Sequence, residues 1–249
     1  MYDEISELYH LVYEDWEAAI QKQAMALNSL FRDMIGTVPL SLLDVSCGIG
    51  TQSLGLAAMG YNVTGSDLSP SAVERARREA RQRGLEIDFS IADMRECSAI
   101  HSNQFDIVIS MDNSIPHLQG VEEVSRALQG FYQCLRPGGI AVIGIRDYHP
   151  NEDRKSPQMW PYGFREHGGH RYFVYQTRDW YGDSYRVAMY FIREADRGCD
   201  AQVTSGVSTY YAISVDQVMS IFTDIGFDGV RRIDNLAHQP VIVGRRPEA

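Results

Sequence analysis

The chain sets an acid, a small-residue turn and a second acid at a spacing suited to holding a nucleoside. From Ser41 to Gln52 it reads S-L-L-D-V-S-C-G-I-G-T-Q, an apolar run ending in Asp44 followed by a loop that contains Ser46, Gly48 and Gly50. Glycines at those places let the main chain approach a ligand with no Cβ in the way, and they accept positive φ. Asp67 follows Gly50 by 17 positions, at the end of a second strand-like run, Tyr61 to Ser66. A carboxylate there can accept both hydroxyls of a ribose. The third glycine of a dinucleotide fingerprint, which would help seat a pyrophosphate, is here Ser53.

These groups need a scaffold that presents strand ends side by side. Short apolar runs alternate with helical segments from Leu42 onward, which predicts an α/β fold with a doubly wound, mostly parallel sheet. Strands are expected at 41–45, 61–66, 87–91, 105–110 and 140–145, and helices through 54–60, from Ser69 or Ser71 to Gln82, and over 121–135. Arg136-Pro137-Gly138-Gly139 reads as a turn. After Asp147 the stretch His149–His170 is rich in Pro, Gly and charge. Strand-like alternation then runs over 172–180, 185–193 and 203–214, with Gly182-Asp183 as a hairpin turn. This reads as a small antiparallel insertion at 148–212, placed as a lid. A helix over 215–225 and strands at 228–233 and 241–244 complete seven strands in a single domain spanning 1–249.

Ahead of the first strand, Ile5, Leu8, Tyr9, Val12, Tyr13, Trp16 and Ile20 recur at spacings of three and four. That stripe marks one amphipathic helix or two abutting ones, with a further helix over 27–34. Residues 1–36 would then form a helical cap.

Ligands of an open α/β sheet bind beyond the carboxyl ends of its strands. Beyond the second strand lie Asp67 and Leu68; beyond the third lie Asp93 and Met94, suited to an adenine amino group and ring. Capping a helix is an equal reading for Asp93. Beyond the fourth come Met111-Asp112-Asn113-Ser114-Ile115-Pro116-His117-Leu118.

A net charge of −10 and a pI near 5.1 argue against a general nucleic-acid scaffold. No apolar stretch approaches a membrane span, and Tyr2-Asp3-Glu4 is no leader, so a soluble, cytoplasmic protein is expected. Cys47, Cys97, Cys134 and Cys199 are widely spaced and read as free thiols. His167-Gly168-Gly169-His170 reads as a turn ahead of a metal pair, and no metal is expected.

The segments D-V-S-C-G-I-G, G-S-D and L-R-P-G-G resemble the motifs of class I methyltransferases that use S-adenosylmethionine. Within that class, N-S-I-P-H-L resembles N-S-x-x-H-L of glycine and glycine/sarcosine N-methyltransferases, and V-I-G-I-R-D-Y resembles their fifth strand. The resemblance implies a Rossmann-like methyltransferase fold with S-adenosylmethionine as cofactor and a small-molecule amine bearing a carboxylate as acceptor. It implies that Arg146 grips that carboxylate with help from Asn113, and that Tyr13, Met111, Ser114 and His117 join Asp44, Ser46, Gly48, Gly50, Asp67, Leu68, Asp93 and Met94 around the cofactor. Among the tyrosines of the insertion, Tyr190 is assigned to the acceptor pocket. Each position also has a plainer use: Arg146 as an ion-pair partner of Asp147 or Asp112, His117 as a helix cap, Asn113 as a turn residue. Asp112, where small-molecule N-methyltransferases often carry Gly, puts glycine itself in doubt as substrate. Transfer to oxygen or carbon, and a non-catalytic cofactor-binding protein, are the alternatives.

Overall fold

The computed structural model describes residues 1–37, 39–101, 104–148, 154, 157–195 and 200–248. Five strands, β1 (Ser41–Asp44), β2 (Asn62–Asp67), β3 (Asp88–Ile91), β4 (Phe105–Ser110) and β5 (Leu135–Gly144), run parallel. Between them lie α3 (Thr51–Ala58), α4 (Pro70–Gln82), α5 (Cys97–Ile100) and α6 (Val121–Cys134). After α7 (Val215–Ile225), β10 (Asp228–Ile233) and β11 (Val241–Arg245) add antiparallel, giving the order β3-β2-β1-β4-β5-β11-β10. The central strands read as unbroken apolar runs because both faces are covered. Leu42, Ile107, Ile109 and Val142 pack under Ala24, Leu27 and Phe31 of the N-terminal helix. Leu43, Val108, Ala141 and Ile143 face α6 and α7 through Leu128, Phe131, Val218 and Phe222. Strand order reverses about β1, so a crevice opens at the carboxyl ends of β1, β2 and β4.

The expected strands and helices of this sheet are present, with Ser69 capping α4 through Ala72 N–H (3.2 Å) and Pro70 in its first turn. The largest boundary difference in this sheet is at the start of β5. β5 begins at Leu135, so the Arg136–Gly139 segment lies inside the strand, where Gly138 N–H and Gly139 C=O bond to Arg246.

The N-terminal segment also differs from its sequence reading. α1 (Tyr2–Ile5) and a 3₁₀ turn (Tyr9–Val12) precede α2, which runs unbroken from Trp16 to Ile35. The break falls at 13–15 because Asp15 caps α2, accepting from Ala18 N–H at 3.0 Å, while buried Ala24 and Leu27 carry the apolar stripe on.

Between β5 and α7 lies a separate antiparallel sheet of β6 (Gln158–His167), β7 (His170–Tyr181), β8 (Ser184–Arg193) and β9 (Gln202–Tyr211), paired in that order. β6 falls in the stretch His149–His170, rich in Pro, Gly and charge, where no strand was expected. Pro161 and Gly163 flank a register shift that breaks its alternation, and proline is tolerated because β6 is an edge strand. Gly168 and Gly169, at φ 58° and 77°, form the β6–β7 turn. No helix among the described residues is long and apolar enough to cross a membrane. Cys47, Cys97 and Cys134 are buried free thiols; Cys199 lies outside the described residues.

Candidate active site

A cavity of about 440 Å³ opens at the carboxyl ends of the parallel strands. Of the residues assigned to the cofactor, Tyr13, Ser46, Gly48, Asp67, Leu68, Asp93, Met94, Ser114 and His117 line it. The glycine loop supplies its floor. Gly48 has φ 52°, and a Cβ built on it meets no protein atom within 4 Å, so it would project into open space. Asp67 ties the loop to β2: Gly48 N–H donates to Oδ2 and Ser69 N–H to Oδ1, both at 2.9 Å. A carboxylate has about four acceptor sites. With one backbone donor on each oxygen, each retains a lone pair, an arrangement that suits a vicinal diol. Burial raises the Asp67 carboxyl above its usual range.

Leu68 is 66% exposed yet lines the cavity, and Met94 faces the same space, so an apolar wall awaits a flat ring. Asp93 both caps and lines. It accepts from Arg95 N–H at 2.9 Å and from Arg95 Nε at 3.0 Å, and these bonds hold its carboxyl below the usual range. Any exocyclic amine reaching Asp93 competes with that guanidinium.

At the end of β4, Ser114 Oγ donates to Met111 C=O (2.8 Å). His117 sits between Tyr2 Oη (Nε2, 3.2 Å) and Ser208 Oγ on β9 (Nδ1, 3.0 Å). Burial pushes its pKa down to about 4, so the ring is neutral at pH 7. Tyr13 Oη donates to Asp112 Oδ2 at 2.8 Å.

Three cofactor assignments fall behind the cavity wall. Met111 is buried against Gly144. Gly50, at φ 97°, sets the turn into α3 and packs on Leu54. Asp44 braces the loop from below, accepting from Ser53 Oγ (2.8 Å) and Ser46 N–H (3.3 Å). Ser53, which breaks the dinucleotide pattern, thus serves the buried acid.

Burial pushes the Asp44 carboxyl up to about 7. The unfolded chain ionises this group near 3.8 while the fold retains its proton up to about pH 7. Folding stability therefore falls across that window, by at most about 1.4 kcal/mol per pH unit, and levels off above it. Asp44→Asn is expected to gain on wild type in melting temperature between pH 5 and 7 and to hold that gain at pH 8. A difference that stays flat with pH would give Asp44 an ordinary titration.

The acceptor assignments fare differently. Asn113 is buried and does not line the cavity; its Nδ2 donates to Tyr148 Oη (2.9 Å) and its Oδ1 accepts from Arg146 N–H (2.8 Å). At φ 64° it serves the turn. Arg146 is half-buried and is not among the residues that line the cavity; its guanidinium lies 5.5 Å from the Tyr148 ring centre and 5.9 Å from that of Trp160. Asp147 pairs with Arg232 at 2.6 Å. The Tyr190 assignment is corrected by the pleat. Tyr185, Val187 and Phe191 of β8 are buried in core clusters, so Tyr190 projects from the opposite face, where it stacks on Tyr175 at 4.8 Å.

Sequence reading missed Gln52. It lines the cavity and donates through Nε2 to Asp112 Oδ2 (2.8 Å) and Gln23 Oε1 (2.7 Å). Its place directly after the glycine loop was a usable signal. Tyr2 and Asp3 were missed too: Tyr2 Oη meets Tyr210 (3.3 Å) and Asp3 accepts from Ser69 Oγ (2.6 Å), so the first residues strap the cavity. Among the described residues no group of three or more His, Cys, Asp or Glu is placed to hold a metal.

The residues fit S-adenosylmethionine. The Gly48 cradle leaves room for a ligand, Asp67 offers diol acceptors, Leu68 and Met94 offer an apolar wall, and the carboxylates of the lining favour cations over a pyrophosphate.

Residues 42–139 match the family described as methyltransferase domain. The glycine/sarcosine N-methyltransferase of Parasynechococcus marenigrum (strain WH8102) is 36% identical over 134 residues, 54% of this chain and 46% of that protein. The ubiquinone biosynthesis O-methyltransferase of Aromatoleum aromaticum is 32% identical over 141 residues, 55% of this chain and 58% of that protein. The chain thus spans about half the length of the curated relatives it matches. The S-adenosylmethionine-bound structure of CalS10, an amino pentose methyltransferase from Micromonospora echinaspora, aligns with TM-score 0.78 at 19% identity, covering 96% of this chain and 95% of that one. Residues 42–139 thus match a methyltransferase domain, and the seven-stranded order and the likeness to solved structures give the chain a Rossmann-like methyltransferase fold.

Proposed function

We propose that this chain transfers a methyl group from S-adenosylmethionine to the amine of a small-molecule acceptor. The observation that carries the reading is the Gly48–Asp67 cradle opening into one cavity of about 440 Å³, a size for a cofactor and a small partner. The cofactor supplies an electrophilic methyl on a sulfonium that is already an activated leaving group. The protein's work is then to bind, align and exclude water. Asp67, Leu68 and Met94 hold the nucleoside end, and Ser114 and Asp112 shape the end at β4. Within a single domain, the N-terminal cap of 1–36 and the lid of 148–212 close over it, through His117, Tyr2, Ser208 and Tyr210.

Supply of labelled cofactor to a panel of amines, amino acids and their hydroxyl analogues tests the reading. Label is expected on nitrogen. Label on oxygen alone would favour the second reading, O-methylation, to which the O-methyltransferase relative lends support.

The acceptor's carboxylate is assigned to Arg146, supported by the glycine/sarcosine relative and by Asn113, which holds the Arg146 backbone. Arg146→Lys is expected to keep cofactor affinity while lowering turnover of carboxylated acceptors about tenfold, because a point charge holds a carboxylate less rigidly than a planar fork. Methyl esters should be indifferent to the change. An equal loss for acids and esters, with a lower melting temperature, would make Arg146 a packing residue against Tyr148 and Trp160.

A further inference from the structure

We infer that Asp112 is the docking point for a cationic nitrogen of the acceptor, an inference that rests on the methyltransferase reading and deepens it. Asp112 lines the cavity and is held from one side only: Tyr13 Oη and Gln52 Nε2 both donate to Oδ2, each at 2.8 Å. Gln52 is itself anchored by Gln23. Among the described residues Oδ1 accepts no hydrogen bond, and no Arg, Lys or His pairs with this carboxylate.

The backbone is built to present it. Asp112 and Asn113 occupy the left-handed region in succession, at φ 53° and 64°. Two consecutive non-glycine residues there are uncommon, because Cβ crowds the following carbonyl in that region. The turn is over-determined by the buried Asn113 side chain, which bonds Tyr148 and Arg146, and by Asn113 N–H to Gly144 C=O at 3.0 Å.

Position separates this carboxylate from the nucleoside end. Asp67 ends β2 and Asp112 follows β4, with β1 between them, so the two acids extend from strands about 10 Å apart. Arg95, a cation of the lining, lies beyond β3 and is engaged by Asp93 and Glu123 (2.9 Å). With Tyr13 and Gln52 as its two neutral donors, the Asp112 carboxylate attracts an ammonium, repels an anion and gives a hydroxyl only an ordinary hydrogen bond.

An aliphatic amine enters as its ammonium at neutral pH. The proton it sheds passes to Oδ1: the N–H bond breaks, an O–H bond forms, and the electron pair stays on nitrogen.

The test is calorimetric titration of the chain, saturated with S-adenosylhomocysteine, by cyclohexylamine, cyclohexanol and cyclohexanecarboxylate at pH 7.5. Wild type is expected to bind the amine at least tenfold more tightly than either the alcohol or the carboxylate. Asp112→Asn, which keeps the shape and tolerates the left-handed backbone, is expected to lose that preference while holding S-adenosylhomocysteine within about threefold. Equal binding of all three by wild type, or a preference retained in the variant, overturns the inference. The wild-type comparison decides alone if the variant fails to fold. Absence of S-adenosylhomocysteine binding by wild type would instead overturn the methyltransferase reading beneath it.

Discussion

Gly48→Val is expected to abolish measurable S-adenosylhomocysteine binding, a loss of at least a hundredfold or about 2.7 kcal/mol, while leaving a folded protein. The two halves of that result have separate causes. A Cβ at 48 meets no protein atom within 4 Å, so packing does not oppose it; the fold loses chiefly the cost of a β-branched residue at φ 52°, about 1–2 kcal/mol. The isopropyl group would instead fill the ligand's side of the loop, and any adjustment of the backbone would disturb the Gly48 N–H bond to Asp67. Gly84 supplies the control. It has φ 65° and an equally open Cβ direction, but lies after α4, away from the cavity lining. Gly84→Val should repeat the strain and spare the affinity. Calorimetry with thermal melts of both variants reads the outcome, and undiminished binding by folded Gly48→Val would mean that the loop does not face the ligand.

Asp67→Ala should weaken both S-adenosylmethionine and S-adenosylhomocysteine by about 1.5–3 kcal/mol, the range for hydrogen bonds to a charged group, or roughly ten- to a hundredfold. Stability should fall with affinity, because Gly48 N–H and Ser69 N–H lose their acceptor together. Asp67→Asn keeps one acceptor oxygen and the side-chain volume, so it should recover part of the stability and less of the affinity. Comparing the two by calorimetry separates the brace from the ligand contact. A folded Asp67→Ala protein with unchanged affinity would remove Asp67 from the site and leave it as the pin between loop and strand.

The Gly48–Asp67 end of the cavity was legible because its determinants are local. A strand end, a glycine turn and an acid at the next strand end are set by backbone geometry within 41–67, and β1 and β2 pair directly. Ser69 as a cap and β4 at 105–110 were legible for the same reason. β6 was not, since Pro161 and Gly163 disguise a strand that the pairing of β7 completes.

The Asp112 end of the cavity depends on contacts between distant segments. Gln52 and Tyr13 reach Asp112 across 60 and 99 positions, and no periodicity in any of the three segments announces the meeting. For Asn113, the residue type pointed equally to ligand and turn; the neighbouring Tyr148 and Arg146 backbone settled it as a brace.

Tyr190 shows where the boundary falls. The sequence by itself determined that Tyr190 and Tyr185 point to opposite faces of β8, because a strand alternates at every residue. Only the tertiary structure decided which face turns inward: Tyr185 reaches Tyr148 at 2.8 Å, and Tyr190 is left outside on Tyr175. In the same way the sequence determined a doubly wound sheet and a glycine-loop cradle, which follow from short-range periodicity and loop composition. What stands opposite the cradle was decided by packing, because side chains far apart along the chain become neighbours only when the sheets and the N-terminal segment close on one another.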